Sequence, residues 1–440
     1  MLAALDLDRS VDVRVEGHGS LPSAFRVSDL AVASIGAAGR CLDALIRPGE
    51  PGDVTVDRAL AAHWFAMTIR PIDWQLPPLW DTVAGDYRSA DGWIRLHTNA
   101  GHHRRAALRV LATEEDRTAV ASAVLRWRAD DLEAAVVEAG GAAAAMRTAA
   151  EWDAHPQGAA VRAEPLIAHE RTEPAAQLDL PGSGEGRPLR GVRVLDLTRV
   201  LAGPVATRLL AGWGADVLRI DPPDWDEPGV IPEVLRGKRT ARLDLMTPAG
   251  RDTLAELLSR ADVLVHGYRS DALDRLGFGA AERSRMRPGL VDVALDAYGW
   301  TGPWAIRRGF DSLVQMSSGI AAAGMAHYAR AVPTPLPVQA LDHATGYLMA
   351  AAVLRGLAER RTRGRGSRWR LSLARTARLL VDAGPGEPDD APVGEPALAD
   401  ALERTTWGSA HRVAAPLRVP GAPLHWDRPA RALGSDPPQW

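Results

Sequence analysis

From Gly191 onward, short apolar runs alternate with stretches of helical periodicity. GVRVLDL (191–197) is rich in β-branched residues, AGPVATRLLAGWG (202–214) spaces its apolar positions as a helix does and stops at glycine, and ADVLRIDPP (215–223) is strand-like again. This is the pattern of a βαβ unit. It continues through TARLDL (240–245), a helix opened by the cap and first-turn pair Thr247-Pro248, ADVLVHGY (261–268), SDALDRLG (270–277) and PGLVDVALDAYG (288–299). Strands and helices in strict alternation predict an α/β chain with a doubly wound, mostly parallel sheet. In such sheets ligands bind beyond the carboxyl ends of the strands, so loops 198–204 and 267–270 are the candidate ligand loops.

Neither loop carries the GxGxxG of a dinucleotide site. Asp221, at the end of the second predicted strand, is therefore read as a strand-end residue before a proline turn rather than as a ribose ligand. The Rossmann-like sheet domain is placed at 191–382, with an extended return segment at 383–440 lying over its surface. Residues 59–169 read as a smaller α+β domain. There GDYRSADGWIRLHT (85–98) alternates around a turn and three helical patterns follow, with Trp64, Trp74, Trp80, Trp93 and Trp127 expected in its core and His155 in a structural role. A polar stretch rich in Pro and Gly at 170–190 reads as the linker between the two.

An internal repeat emerges from the same pattern. Leu-Pro, a spacer, an acid and a small-residue helix occur at 21–46 and again at 336–366, so that Asp29 matches Asp342, and each copy leads into another short helix, in VTVDRALAAHWF (54–65) and in WRLSLARTARLL (369–380). Residues 1–58 are accordingly read as a worn copy of the later segment.

Composition narrows the chemistry. The formal charge of −3 comes from nearly balanced cations and acids, which argues against nucleic acid and for small-molecule work. Cys41 is the sole cysteine, so no disulfide framework or cysteine metal cluster is expected, and Lys238 is the sole lysine. The N-terminus lacks the basic flank and apolar core of a secretory signal, and no apolar run has spanning length, so a soluble cytoplasmic protein without membrane association is expected. His97, His102 and His103 stand near Asn99 in a polar loop without an acidic or cysteine partner, and no metal is expected there.

Asp342 and His343 stand at the mouth of an apolar helix. Helix capping and the helix dipole offer a structural reason for the acid. A chemical reason is also open: a carboxylate ionised near neutrality is a nucleophile that needs no general base.

Six stretches carry a resemblance: VLDLTRVLAGP (194–204), GADVLRIDPP (214–223), GKRTARLDLMTPAGR (237–251), ADVLVHGYRSDALDRLGFG (261–279), GWTGPWAIRRGFDSLVQMSSG (299–319) and LDHATGYLMAAAVLRGLAERRTRGRG (341–366). In this order they resemble the class III CoA-transferases, the family of formyl-CoA and carnitine CoA-transferases and α-methylacyl-CoA racemases. The resemblance implies CoA esters as substrates, a carboxylic acid as acceptor, no covalently bound cofactor, and Asp342 as the nucleophile that carries CoA as an aspartyl thioester. By position it places Leu201 and Ala202 in the first CoA loop, Leu243 and Met246 at the third strand end, Tyr268 on the adenine or pantetheine wall, and Arg275 and Arg308 on the phosphates, with Arg199 and Lys238 beside them. Leu341 and Gly267 depart from the family's usual glycine and asparagine.

The order of parts also departs, since the small domain here precedes the sheet domain as in a permutation of a duplicated ancestor. Family members form interlocked dimers, so a homodimer is expected, with the small domains exchanged between chains and packing within one chain as the alternative. Two other activities stay open. The racemases have a histidine where GFD has Phe310, which cannot carry a proton, and His343 would diverge from Asp342 by about 100° on a helix. A retired enzyme would bind CoA esters without turnover.

Overall fold

The computed structural model describes residues 1–7, 12–180, 186–269, 271–386 and 391–440. Ser270 of the second candidate loop, 181–185 of the expected linker, 387–390 of the tail and 8–11 of the N-terminal copy lie outside the described residues.

Seven strands form the main sheet: β1 (Ala168–Pro174), β2 (Arg193–Leu197), β3 (Asp216–Asp221), β4 (Arg239–Arg242), β5 (Val263–His266), β6 (Val291–Asp296) and β7 (Arg365–Ser372). Their spatial order is β4-β3-β2-β5-β6-β7-β1, parallel throughout except for the antiparallel edge strand β1. The winding reverses between β2 and β5, which makes this the switch point of a doubly wound sheet. Successive strand residues enter opposite cores. Val194, Val217, Val263 and Val293 pack on one face, while Leu195, Leu218, Ile220 and Leu264 pack on the other. A sheet buried on both faces needs apolar residues at consecutive positions, which is why these strands read as continuous runs.

Three helices frame the first face: α1 (Val27–Ile46), α2 (Ala202–Gly212) and α3 (Ala340–Arg363). α3 is apolar around most of its girth because it is enclosed, with α1, α2 and the sheet all packed against it. Small residues permit the close approaches. A Cβ on Gly346 would stand 2.4 Å from the carbonyl oxygen of Ala202, and one on Gly356 would stand 2.5 Å from Val291. The helix ends at Gly364, in the left-handed region at φ 61°.

The N-terminal copy has a structural counterpart. Asp29 and Asp342 are each the third residue of their helices, and each helix leads through a strand into a shorter helix, Arg58–Trp64 after Thr55–Asp57 and Leu373–Asp382 after β7. Both short helices are capped by a side chain, Asp57 accepting from the Leu60 N–H and Ser372 from the Arg375 N–H.

Three expectations are corrected. The stretch read as a linker opens with β1, whose polar, mostly exposed residues hide an edge strand paired to β7 on one side only. The tail lies over the sheet domain only in its last part, where the His425 N–H donates to the Gly212 carbonyl, the Gly237 N–H to the Arg428 carbonyl, the Asp436 N–H to the Thr240 carbonyl and the Trp440 indole to the Leu257 carbonyl. Its hairpin Glu403–Thr405 and Gly408–Arg412 pairs with Ile69–Pro71, and Leu417–Arg418 pairs with Thr55–Asp57. The five tryptophans do not share the small core either. Trp64 packs in the main core, the Trp74 indole donates to the Ser409 carbonyl at 2.7 Å, and only Trp127 packs on the core of Val83, Tyr87, Ile94 and Leu132. That small unit has the expected hairpin, Gly85–Arg88 and Trp93–Leu96, joined by Ala143–Ala145.

One buried network ties the parts together. Glu233 accepts from Thr68 and Ile69 of the N-terminal segment, Arg208 of α2 and Arg412 of the tail. Burial alone would raise this carboxyl, but the two guanidiniums outweigh it and hold Glu233 at about 2.

Candidate active site

Asp342 is not a helix cap. α3 begins at Ala340, its N-cap Gln339 supplies no side-chain bond, and Asp342 lies within the first turn. The missing cap comes from elsewhere in the chain: Asp311 accepts the Asp342 N–H at 2.9 Å and is itself held by the Gln315 amide. Asp342 is only 6% exposed, and among the described residues no donor reaches its carboxylate oxygens. A buried, unpaired carboxylate costs stability and calls for a functional reason. Burial, and then the charge of Asp311, push its pKa well above the usual carboxylate range, while burial lifts Asp311 to about 6. Asp29, its counterpart, is half-exposed and ion-paired to Arg58 at 2.5 Å and Arg26 at 3.4 Å. The two acids share a helix position and nothing of their environments.

The Asp342 side chain faces a cavity of about 710 Å³ at the switch point. Val200 and Leu201 after β2, residues 225–230, residues 337–339 before α3, and 77–82 with His97 from the small unit form its wall, all from one chain. Val200 sits at φ 64°, a left-handed conformation that a β-branched residue adopts only under constraint. Its N–H donates to Glu227 at 2.6 Å, and Glu227 is anchored by Arg219 at 2.9 Å. A smaller cavity of about 240 Å³ lies at the far end of α1, beside the paired Arg40 and Asp43.

Two histidines line the larger cavity. His343 stacks on Phe65, with ring centroids 5.4 Å apart, and burial lowers it to about 3. His97 lies flat on Phe310 at 3.7 Å and edge-on to Trp80 at 5.6 Å, and burial, aided by Arg95, lowers it to about 3. His97 drew notice in the sequence only as a weak metal ligand, and Asp311 drew none. The place of Asp311 beside Phe310 in the GFD triplet carried no sign of the bond it makes 31 residues away.

The expected CoA residues divide into two groups. Leu201 lies on the cavity wall, and Ala202 opens α2 behind it with its carbonyl against Gly346. The Arg199 guanidinium lies over the rings of Trp225 at 4.7 Å and Tyr268 at 5.0 Å and donates to the Tyr268 hydroxyl at 2.9 Å. Arg308 donates to the Gly140 carbonyl at 3.1 Å, and its pKa is lowered by burial and then by the neighbouring cations Arg269 and Arg199. Arg199, Tyr268, Arg269 and Arg308 thus gather beside the cavity. The others do not line it. Leu243 packs on the second core, Met246 is 78% exposed, and Arg275 is ion-paired to Asp271 on an exposed turn. Lys238 is fully buried against Asp196 at 3.1 Å and the Pro204 carbonyl at 2.9 Å, and burial lowers it to about 8, so the sole lysine is structural. Asp221 is held by two bonds from Arg219, in keeping with a strand-end role. No helix among the described residues is long and apolar enough to cross a membrane, and no cluster of potential metal ligands occurs among them.

Comparison with known proteins places this geometry. The probable fatty acyl-CoA transferase Rv3272 of Mycobacterium tuberculosis is 32% identical over 205 residues, 42% of this chain and 50% of its own length. An acyl-CoA transferase of Gibberella moniliformis is 30% identical over 308 residues, 64% of this chain and 54% of its own. The orthorhombic crystal structure of Rv3272 aligns over 44% of this chain and 57% of its own, at 30% identity and a TM-score of 0.42. The chain spans about half the length of these curated relatives. The sequence model for CoA-transferase family III matches residues 189–434, which hold six of the seven sheet strands, the switch-point loops, α3 and most of the tail, and the chain belongs to that family.

Proposed function

We propose that the protein transfers CoA between an acyl-CoA and a carboxylic acid through Asp342. The observation that carries this reading is the donor-free carboxylate of Asp342, buried at the wall of a cavity large enough for an acyl group and the thiol end of CoA. The ionised carboxylate attacks the thioester carbonyl, forming an acyl-aspartyl anhydride and releasing CoA thiolate. The thiolate then attacks the aspartyl carbonyl, expelling the first acid and leaving an aspartyl-CoA thioester. An acceptor carboxylate attacks that thioester, and the thiolate it frees closes on the new acyl carbon, restoring Asp342. The thioester is never surrendered to water. A carboxylate whose proton affinity is raised is also the stronger nucleophile once ionised, and no second base is required.

Arg199, Arg269 and Arg308 fit the CoA phosphates, since guanidinium forks pair well with phosphate oxygens and among the described residues no carboxylate pairs with any of the three. The Tyr268 ring beside them suits the adenine. Both units of one chain wall the cavity, so a site within a single chain is the simpler arrangement, and exchange between the chains of a dimer is not needed to complete it.

Asp342→Asn should lower acyl exchange by roughly a thousandfold or more while CoA esters still bind, as titration calorimetry would show. Full exchange by that variant would end the reading. A second activity, exchange of the α-proton, is favoured by one observation: His97 lies against Phe310, at the place where the racemases carry their histidine, on the same cavity as Asp342. Uptake of solvent deuterium at the α-carbon without acyl exchange would select it.

A further inference from the structure

Taken together with the transfer reading, on which it rests, the chemistry of the cavity wall narrows the acyl group. Phe65, Trp80, Trp225 and Phe310 make much of that wall aromatic. Its charges are one-sided: Asp81, Glu115, Asp226, Glu227 and Asp342 are acids, and among the described residues Arg104 is the one cation on the wall. Arg104 is already paired with Glu115 at 3.2 Å. His97 and His343, both held near about 3 by burial, are neutral at working pH and offer no charge. Arg199, Arg269 and Arg308 do not line the cavity, and the transfer reading assigns them to the CoA phosphates.

A substrate bearing a second carboxylate would lose its water on entry, find no unpaired cation on the wall, and face Asp81, Asp226 and Asp342, since Glu115 and Glu227 are paired with Arg104 and Arg219. Burying such a charge unpaired is strongly unfavourable, whereas an alkyl or aryl group gains from the aromatic wall. We propose that the acyl subsite takes bulky, uncharged acyl groups, medium-chain or aryl, as both donor and acceptor, and rejects acyl groups that carry a second carboxylate.

Identity exchange tests this without knowledge of the natural acceptor. The full chain is given octanoyl-CoA with labelled octanoate, phenylacetyl-CoA with labelled phenylacetate, or succinyl-CoA with labelled succinate. Binding of the three esters is measured separately by calorimetry. The expected kcat/KM for octanoyl or phenylacetyl exchange exceeds that for succinyl by about a hundredfold or more. Succinyl exchange equal to or faster than the others overturns the subsite proposal and leaves CoA transfer standing. No exchange with any ester, but octanoyl-CoA bound about a hundredfold tighter than succinyl-CoA, upholds the subsite and overturns transfer. Equal binding without exchange overturns both. Trp80→Ala should reduce the ratio of octanoyl to acetyl exchange about tenfold and Trp80→Phe should recover most of it; an unchanged ratio in Trp80→Ala counts against the proposed wall.

Discussion

At the scale of the residue, the protein keeps a carboxyl where folding alone would not. The raised pKa of Asp342 means that the folded chain binds its proton more tightly than the unfolded chain, whose aspartates titrate near ~3.9. By linkage, the stability associated with this group is fully present below that unfolded value and is lost as pH rises towards the folded one. Asp342→Asn removes the burden, so its melting temperature should exceed that of the unaltered protein at pH 8, by a few degrees, with the difference shrinking towards pH 4. Calorimetric scans across that range check the sign, and a variant less stable at pH 8 would show that the carboxylate is paired in solution. Asp311 contributes a second effect. Asp311→Asn keeps an oxygen for the Asp342 N–H but removes a negative charge, so the acidic limb of the kcat/KM profile should move down by about 1 pH unit. A limb that stays in place would mean that burial alone sets the titration. Asp342 could be singled out in the sequence because its motif is local. Asp311 could not, because its role arises from a contact 31 residues away in the chain.

Among elements, the packing of α3 decides where Asp342 points. Gly346, one turn further on, rests against the carbonyl of Ala202, which opens α2 directly after Val200 and Leu201. Gly346→Ala would place a methyl 2.4 Å from that oxygen and must push the helices apart. The expected cost is about 1–3 kcal/mol, read from urea unfolding, with kcat falling further than stability explains. A neutral substitution would show that the contact yields freely. The alternation of strand and helix patterns made the sheet and its winding legible, since apolar runs are what a sheet covered on both faces requires. β1 and the tail hairpin were not, because short strands made mostly of polar residues leave no periodic trace. Small-residue richness in α1 and α3 announced close packing but not its partner, and the two helices meet within one chain, the arrangement the sequence reading had set second to exchange between chains.

Over the whole molecule, contacts that ignore sequence distance bring the parts together. Glu233 joins the N-terminal segment, α2 and the tail in one buried cluster, and residues 77–82 and His97 supply one side of the cavity wall. The chain therefore carries in itself every group that the proposed transfer uses. The central claim is that Asp342 forms a covalent link to the acyl or CoA portion of a bound ester. The direct measurement is peptide mass spectrometry of the intact chain after mixing with octanoyl-CoA and hydroxylamine, which captures an activated aspartyl carbonyl as a hydroxamate. The expected result is a hydroxamate on the peptide bearing Asp342, dependent on the ester and absent from Asp342→Asn; an unmodified Asp342 in a chain that still exchanges acyl groups, or a hydroxamate at Asp29 instead, would contradict it.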